Sequence, residues 1–399
     1  MFTIYDETRQ RVPIKVWLES KDQLEEQCLQ QALNLSNLPF VHKWVALMPD
    51  THSGYGMPIG GVIGTIDTII PNAVGVDIGC GVAFVDTNIR VTSISKGKYK
   101  KIVAQIMNRI PTGFDHHRIK QQCSVLDRAS IAKAFKENRE LYDEIERGYY
   151  QVGTLGGGNH FIELQEDEHG MLGIMVHSGS RNFGFKIANY YNRVAKRLNR
   201  KWGNKIPRHY DLAYLPTDSP EGREYIMWMD LALDFAKANR NKMMETVQDV
   251  LYKNIDDIEF GDEINAHHNY ASYEKHYGKD VWIHRKGAIY AGEDVLGIIP
   301  GAMGSYSYIV KGLGNLESFK SCSHGAGREM SRRAAKREYP VEHVVKDLKN
   351  QGVILGKTRL RDVAEEYRKA YKDIDFVMEQ QLDLIRPVKR LKTIAVIKG

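Results

Sequence analysis

Leu172-Gly-Ile-Met-Val-His177, then Ser178-Gly-Ser-Arg181, then Phe185-Lys-Ile-Ala-Asn-Tyr-Tyr-Asn-Arg-Val-Ala-Lys-Arg-Leu-Asn-Arg-Lys201 is the stretch on which the fold reading turns. The first part is a short apolar run with branched residues, bounded by glycine and serine, and reads as a strand. The last part spaces Ile187, Tyr191, Val194 and Leu198 at helical intervals, with its basic residues mostly on other faces. Working outward, strands are expected over 59–66, 82–88, 172–177, 281–291, 305–310 and 392–397, and helices over 119–149, 185–201, 221–254, 327–338 and 362–385. The two kinds do not alternate regularly enough for a doubly wound sheet or a barrel. There is no tandem repeat, low-complexity tract or Pro/Ser-rich linker. The reading is one compact α+β domain over 1–399, a mixture of sheets and helices, with a helical insertion or lobe at about 185–255.

Composition narrows the class. The chain has 399 residues, 42% hydrophobic and 27% charged, which excludes a disordered chain or a fibrous rod. Mean hydropathy is −0.43, and no apolar run approaches the roughly 18 residues a membrane span needs. The start, Met1-Phe-Thr-Ile-Tyr-Asp-Glu-Thr-Arg-Gln10, lacks the order of a secretion signal, so a cytoplasmic protein is expected. Cys28, Cys80, Cys123 and Cys322 are scattered and read as reduced thiols. The net charge of +6 is too mild to prove a nucleic-acid partner. Its distribution says more, because 171–210 holds nine Lys/Arg (Arg181, Lys186, Arg193, Lys196, Arg197, Arg200, Lys201, Lys205, Arg208) and no acid. Such a patch can neutralise several phosphates.

Glycine, 35 residues, is bunched into clusters that would weaken helices and strands unless a site needs them. Candidate metal ligands lie in or beside these clusters. Asp77 and Cys80 share the turn Gly75-Val-Asp-Ile-Gly-Cys-Gly81, His160 follows Gly156-Gly-Gly-Asn159, His177 ends a strand, and His268 lies in Asn265-Ala-His-His-Asn269. Each alone reads as a structural histidine or a small buried cysteine. Together, a thiolate, a carboxylate and three imidazoles would serve one or two transition-metal ions.

His324 precedes Gly325-Ala-Gly327 and is expected to open a helix, where backbone N–H groups gather an anion. Histidine can also be a covalent nucleophile toward phosphorus, and the plainer reading is a helix cap. Pro300-Gly-Ala-Met-Gly-Ser-Tyr-Ser307 could hug a phosphate but lacks a P-loop lysine. The residues thus point to a metal-dependent enzyme acting on phosphates.

Taken together, Pro49-Asp-Thr-His-Ser-Gly-Tyr-Gly56, Val76-Asp-Ile-Gly-Cys-Gly81, Gly157-Gly-Asn-His-Phe-Ile-Glu163, His177-Ser-Gly-Ser-Arg181, His267-His-Asn269, His324-Gly-Ala-Gly-Arg328 and Lys398-Gly399 resemble the RtcB family of RNA-splicing ligases, in the family's order and almost end to end. The resemblance implies a ligase dependent on GTP and Mn2+ that joins RNA 2′,3′-cyclic-phosphate or 3′-phosphate ends to 5′-hydroxyl ends. It implies one Mn2+ on Asp77, Cys80 and His160, and a second on Cys80, His177 and His268. It makes His324 the carrier of GMP. Around the guanylate it sets Asn159, His160, Phe161, Ile162, Glu163, His268, Asn269, Pro300, Gly301, Ala302, Met303, Ser307, Gly325, Ala326, Gly327, Tyr371 and Lys398. It also brings in RNA as substrate, an archease-like activator as partner, and a chain acting as a monomer.

Position 302 departs from the family, with alanine where serine is usual. One hydrogen bond of about 0.5–1.5 kcal/mol would be missing, with Ser305 and Ser307 as candidates to replace it. Thiolate and imidazole by themselves suggest zinc, so manganese comes from the resemblance. Two other readings use the same residues. A metal-dependent RNA cyclic phosphodiesterase would stop after ring opening and need neither His324 nor GTP, and a non-catalytic relative would only bind RNA.

Overall fold

The computed structural model describes residues 1–357 and 360–399. Its architecture is α+β, built on two large sheets. One has six strands in the order Phe2–Ile4, Ile14–Val16, Val41–His52, Ile59–Thr65, Lys279–Lys286 and Asn269–His276. The other runs Ile264–His267, Gly81–Arg90, Met171–Ser178, Phe161–Glu166, Ile385–Lys398, Tyr306–Gly312 and Leu296–Ile299, with Ile354–Gly356 parallel to Ile385–Lys398. Its other pairings are antiparallel, so strand ends from distant parts of the chain meet along one edge.

That edge is fixed by register. Gly81 stands opposite both Ser178 and His267, and Phe161 stands opposite both His177 and Lys398. A one-residue slip of any strand would turn its side chains to the other face. The chain leaves this sheet after His267 and enters the six-stranded sheet at Asn269, which puts His268 at the crossing.

The helices are carried by apolar stripes. Arg181–Lys201 buries Ile187, Tyr191 and Val194, and the 33-residue helix Pro220–Tyr252, with Pro220 in its first turn, begins where Ser219 accepts from the Gly222 N–H. Its first half packs Tyr225, Trp228 and Phe235 with Phe183 and Tyr191. Its second half lays Met243, Val247 and Leu251 against Ile174 and Val176 of the eight-stranded sheet.

Three expected helices come out differently. The span 119–149 is Ser124–Ile131, Lys133–Lys136 and Arg139–Gln151, because Ala132 is extended and Asn138 caps the last piece while donating to Glu224 at 2.9 Å. The span 362–385 is the end of one 3-10 helix, Leu360–Glu366, a second, Arg368–Ala370, the α-helix Ile374–Glu379 capped by Asp373, and the start of a strand. The helix expected at 327 starts at Arg332, where Ser331 accepts from the Ala334 N–H. The expected strand 281–291 breaks at Gly287 into Lys279–Lys286 and Ala288–Tyr290. The strands Val41–His52, Phe161–Glu166 and Asn269–His276 lie where none was expected.

Arg240, in the middle of the long helix, ties the edge together. Its side chain is 0% exposed. Nη1 donates to the carbonyls of Gly79 at 2.8 Å and Ser178 at 2.9 Å, Nε and Nη2 reach Asn265 Oδ1 at 2.9 and 2.7 Å, and Nη2 lies 3.1 Å from His267 Nδ1. Among the described residues it has no carboxylate ion-pair partner, so the planar fork spends its charge on neutral acceptors from three strand ends. Each buried acceptor left without a donor costs about 1–3 kcal/mol. Arg240→Met is therefore expected to destabilise the fold by about 2–5 kcal/mol in chemical denaturation, with Arg240→Lys recovering only part. An unchanged denaturation midpoint in Arg240→Met would contradict this role.

Candidate metal centre and adjoining cavity

Cys80 precedes the strand Gly81–Arg90, His160 precedes Phe161–Glu166, and His177 lies near the end of Met171–Ser178, so register brings all three together. The Cys80 sulfur lies 3.3 Å from His160 Nε2 and 3.4 Å from His177 Nε2. Asp77 Oδ2 is 3.0 Å from His160 Nε2. Two ligand sets result, Asp77/Cys80/His160 and Cys80/His177/His268, in each of which the ligand atoms lie within 4.8 Å of one another. Cys80 belongs to both.

The donors suit a cation. His160 Nδ1 faces the Leu155 carbonyl at 3.0 Å, which turns Nε2 toward an Asp77 oxygen and the sulfur. Acceptors that close need a proton or a metal between them. Asp77 Oδ1 and His268 Nδ1 are buried with no hydrogen-bond partner among the described residues. Burial and then the neighbouring imidazoles hold His177 and His268 well below the usual histidine range, so both are neutral. Burial works to raise the Asp77 pKa, but His160, Cys80 and Arg181 together outweigh it and keep the carboxylate ionised. Burial, then Asp77, pushes the Cys80 thiol well up, so a metal bound there would have to displace its proton.

His324 adjoins this centre, its ring centroid 4.7 Å from that of His268. It does not open a helix. It follows the strand Ser321–Ser323, which pairs with Ala288–Tyr290, and lies eight residues before the helix at Arg332. The loop cannot wind up because Gly327 has φ +75°, a Cβ there would lie 2.2 Å from the Asp50 carbonyl, and Arg328 is bridged to Tyr371. What holds the imidazole is a buried carboxylate. Asp50, 0% exposed, accepts from His324 Nδ1 at 2.6 Å and from its backbone N–H at 3.1 Å. That leaves Nε2 as the free nitrogen.

Two cavities meet at His324. One is lined by Asn159, Phe161, Glu163, His177, Pro300–Met303, Gly325–Gly327, Tyr371 and Lys398. The other is lined by Asp77, Cys80, Asn159, His268 and Asn269. Asn269 also supports the metal loop, donating to the Asp77 carbonyl at 3.1 Å. Two expected residues lie behind these walls. Ile162 packs in the core with Ala83 and Ile174, and the Ser307 hydroxyl accepts from the Gly301 N–H at 3.1 Å, shaping the loop from behind. Ala302 lines the first cavity, while Ser305 lines a neighbouring one.

Glu366 organises the far end of the first cavity. It accepts from the Tyr371 hydroxyl and lies 3.5 Å from Arg328, 3.6 Å from Arg332 and 4.0 Å from Lys398. Burial lowers the Lys398 pKa to about 8, with Glu366 pulling it back up. Burial raises the Glu163 pKa to about 7 against hydrogen bonds from Gln165 and Thr393.

Sequence reading missed Asp50, Arg240 and Glu366. Asp50 lies in Pro49-Asp-Thr-His52, and an acid two residues past the apolar run Val45-Ala-Leu-Met48 was the available signal. Of the nine basic residues, Arg181 turns inward to Thr154 at 2.9 Å and Gly113 at 2.6 Å, while Arg193 and Lys196 pair with Glu140 and Asp211.

No described helix is long and apolar enough to cross a membrane. The profile of the family described as "tRNA-splicing ligase RtcB" matches residues 31–399. An Escherichia coli protein named RNA-splicing ligase RtcB1 is 37% identical, with 98% of each chain covered. The RNA-splicing ligase RtcB of E. coli K12 is 36% identical over the same shares. The tRNA-splicing ligase RtcB of Thermococcus kodakarensis is 33% identical over 98% of this chain and 95% of its own. With the Cys/His cluster in place and likeness running the length of the chain, the protein belongs to the RtcB family of RNA-splicing ligases.

Proposed function

We propose that this RNA ligase uses GTP and two Mn2+ ions to join RNA 2′,3′-cyclic-phosphate or 3′-phosphate ends to 5′-hydroxyl ends, with His324 carrying GMP. The observation that carries this reading is the position of His324, on the wall of both cavities, with Nδ1 tied to a buried carboxylate and Nε2 free. Asp77, Cys80 and His160 would hold one ion and Cys80, His177 and His268 the other, where bound cations would neutralise phosphate charge and orient the groups.

The chain's own residues supply the rest. Asp50 keeps the Nδ1 proton in place, so Nε2 is the nucleophile toward the α-phosphorus of GTP and pyrophosphate leaves. An oxygen of the RNA 3′-phosphate, formed first by ring opening where the end is cyclic, then attacks that phosphorus and frees the imidazole. The 5′-hydroxyl attacks the activated RNA phosphate, and GMP leaves. The exposed basic face around Arg197 and Arg200 fits contact with the RNA backbone. A cytoplasmic monomer assisted by an archease-like protein completes the reading.

Label from α-labelled GTP with Mn2+ should stay on the protein through denaturing electrophoresis, leave in mild acid and survive hot alkali, as a phosphoramidate does. His324→Ala should take no label, still bind Mn2+, and still join RNA supplied with a preformed 3′-guanylylated end. Label on His324→Ala would overturn the assignment. Ring opening with no label on the wild type would make the chain a cyclic phosphodiesterase instead.

Lys398 gives this reading a pH signature. Its ammonium is carried below about 8 and lost above it. Affinity for GTP should therefore fall as pH rises through about 8 in the wild type, and this step should be absent from Lys398→Met. Titration calorimetry from pH 7 to 9.5 reads it, and a flat wild-type profile would remove Lys398 from the nucleotide contact.

A further inference from the structure

Phe114 is 99% exposed, the most exposed large hydrophobic residue described. It stands on a turn that is pinned rather than loose. Asp115 N–H donates to the Thr112 carbonyl at 3.1 Å, Gly113 N–H to Gly156 at 2.9 Å, and His117 N–H to Tyr150 at 3.0 Å. Arg181 donates to the Gly113 carbonyl at 2.6 Å, and the His117 ring meets the Gly153 carbonyl at 3.2 Å. The ring therefore projects into water from a fixed base.

That base backs onto the metal centre. A Cβ on Gly156 would lie 2.4 Å from His160 Nδ1, and one on Gly158 would lie 2.8 Å from the Arg332 guanidinium on the cavity wall. Gly156, whose carbonyl accepts from the residue beside Phe114, is thus packed against a candidate metal ligand with no room for a side chain between them. Arg118 and Lys120 are exposed on the same loop, the latter paired with Glu146 at 2.5 Å, together with one acid, Asp115. A rigid aromatic face among cationic side chains is the pattern that receives unpaired bases, with stacking on the ring and phosphates near the charges.

We propose that Phe114 is a stacking platform for an unpaired nucleobase beside the RNA join, holding the end in line with the metal centre; this rests on the RNA-ligase reading. The partner is single-stranded RNA, not an apolar protein segment, because the loop packs against the candidate metal centre, Arg118 and Lys120 lie on it, and Ile119 is the one other large apolar side chain it exposes among the described residues.

The test uses the full-length protein and two oligonucleotides, with 2-aminopurine beside a 3′-phosphate in one and beside a 5′-hydroxyl in the other. Binding should quench at least one probe in the wild type. Phe114→Ala should weaken that oligonucleotide about 5- to 150-fold and leave the probe bright. Phe114→Trp should retain both affinity and quenching, whereas Phe114→Leu should restore neither. Self-guanylylation with GTP alone should be the same in all variants, which shows that they are folded. Equal affinity and quenching in Phe114→Ala, or full rescue by leucine, would overturn the platform while leaving the ligase reading intact. A wild type that neither takes GMP nor binds either RNA end would overturn the ligase reading and the platform with it.

Discussion

Register across one sheet edge is the constraint on which the site depends. Gly81 faces Ser178 and His267, and Phe161 faces His177 and Lys398, so candidate ligands drawn from positions 77 to 268 and a lysine at 398 come within reach of one another. No short segment could do this, because the ligands are supplied by four separate strand ends and loops. The arrangement is costly to hold, since it gathers imidazoles, a thiol and a carboxylate away from water. Arg240 offsets part of that cost by donating to Gly79, Ser178 and Asn265 from beneath.

The six-stranded sheet supplies the other half of the site. Its strand Val41–His52 carries Asp50 under the loop after Ser323, and its hydrogen bond turns His324 between the two cavities. A carboxylate behind an imidazole fixes which nitrogen is free and stabilises positive charge on the ring. The two sheets thus divide the labour, one presenting the candidate ligands and the other aiming a single side chain beside them. His268, the residue at which the chain crosses between sheets, is also the one whose ring packs on His324, so it joins the candidate metal centre to the imidazole.

Much of this was legible in sequence, and the limits are physical. Asp77, Cys80, His160, His177 and His268 stood out because glycines or element ends flanked them, and the structure brings them into two overlapping sets. The expected α+β class is what the chain forms, and the amphipathic spacing of Ile187, Tyr191 and Val194 did mark a helix. Local pattern failed where distant contacts decide. The helix expected at 327 is displaced because Gly327 approaches Asp50, and the segment after 362 breaks where Glu366 and Tyr371 turn toward Arg328. Phe161–Glu166 was hidden because Ile162 is its only β-branched residue and Glu163, Gln165 and Glu166 dilute its apolar character. Asp50 and Arg240 gave no signal by spacing, since their partners lie 274 and up to 161 residues away.

The central claim is that Asp50 makes His324 a nucleophile by holding Nδ1 protonated. The most direct measurement is the single-turnover rate of GMP transfer from GTP to Asp50→Asn, with Mn2+ binding and thermal unfolding followed in parallel. The amide can present an N–H to Nδ1 and favour the wrong tautomer, so the rate should fall roughly 10²–10⁴-fold while metal binding stays close to wild type. Guanylylation of Asp50→Asn at the wild-type rate would contradict the account.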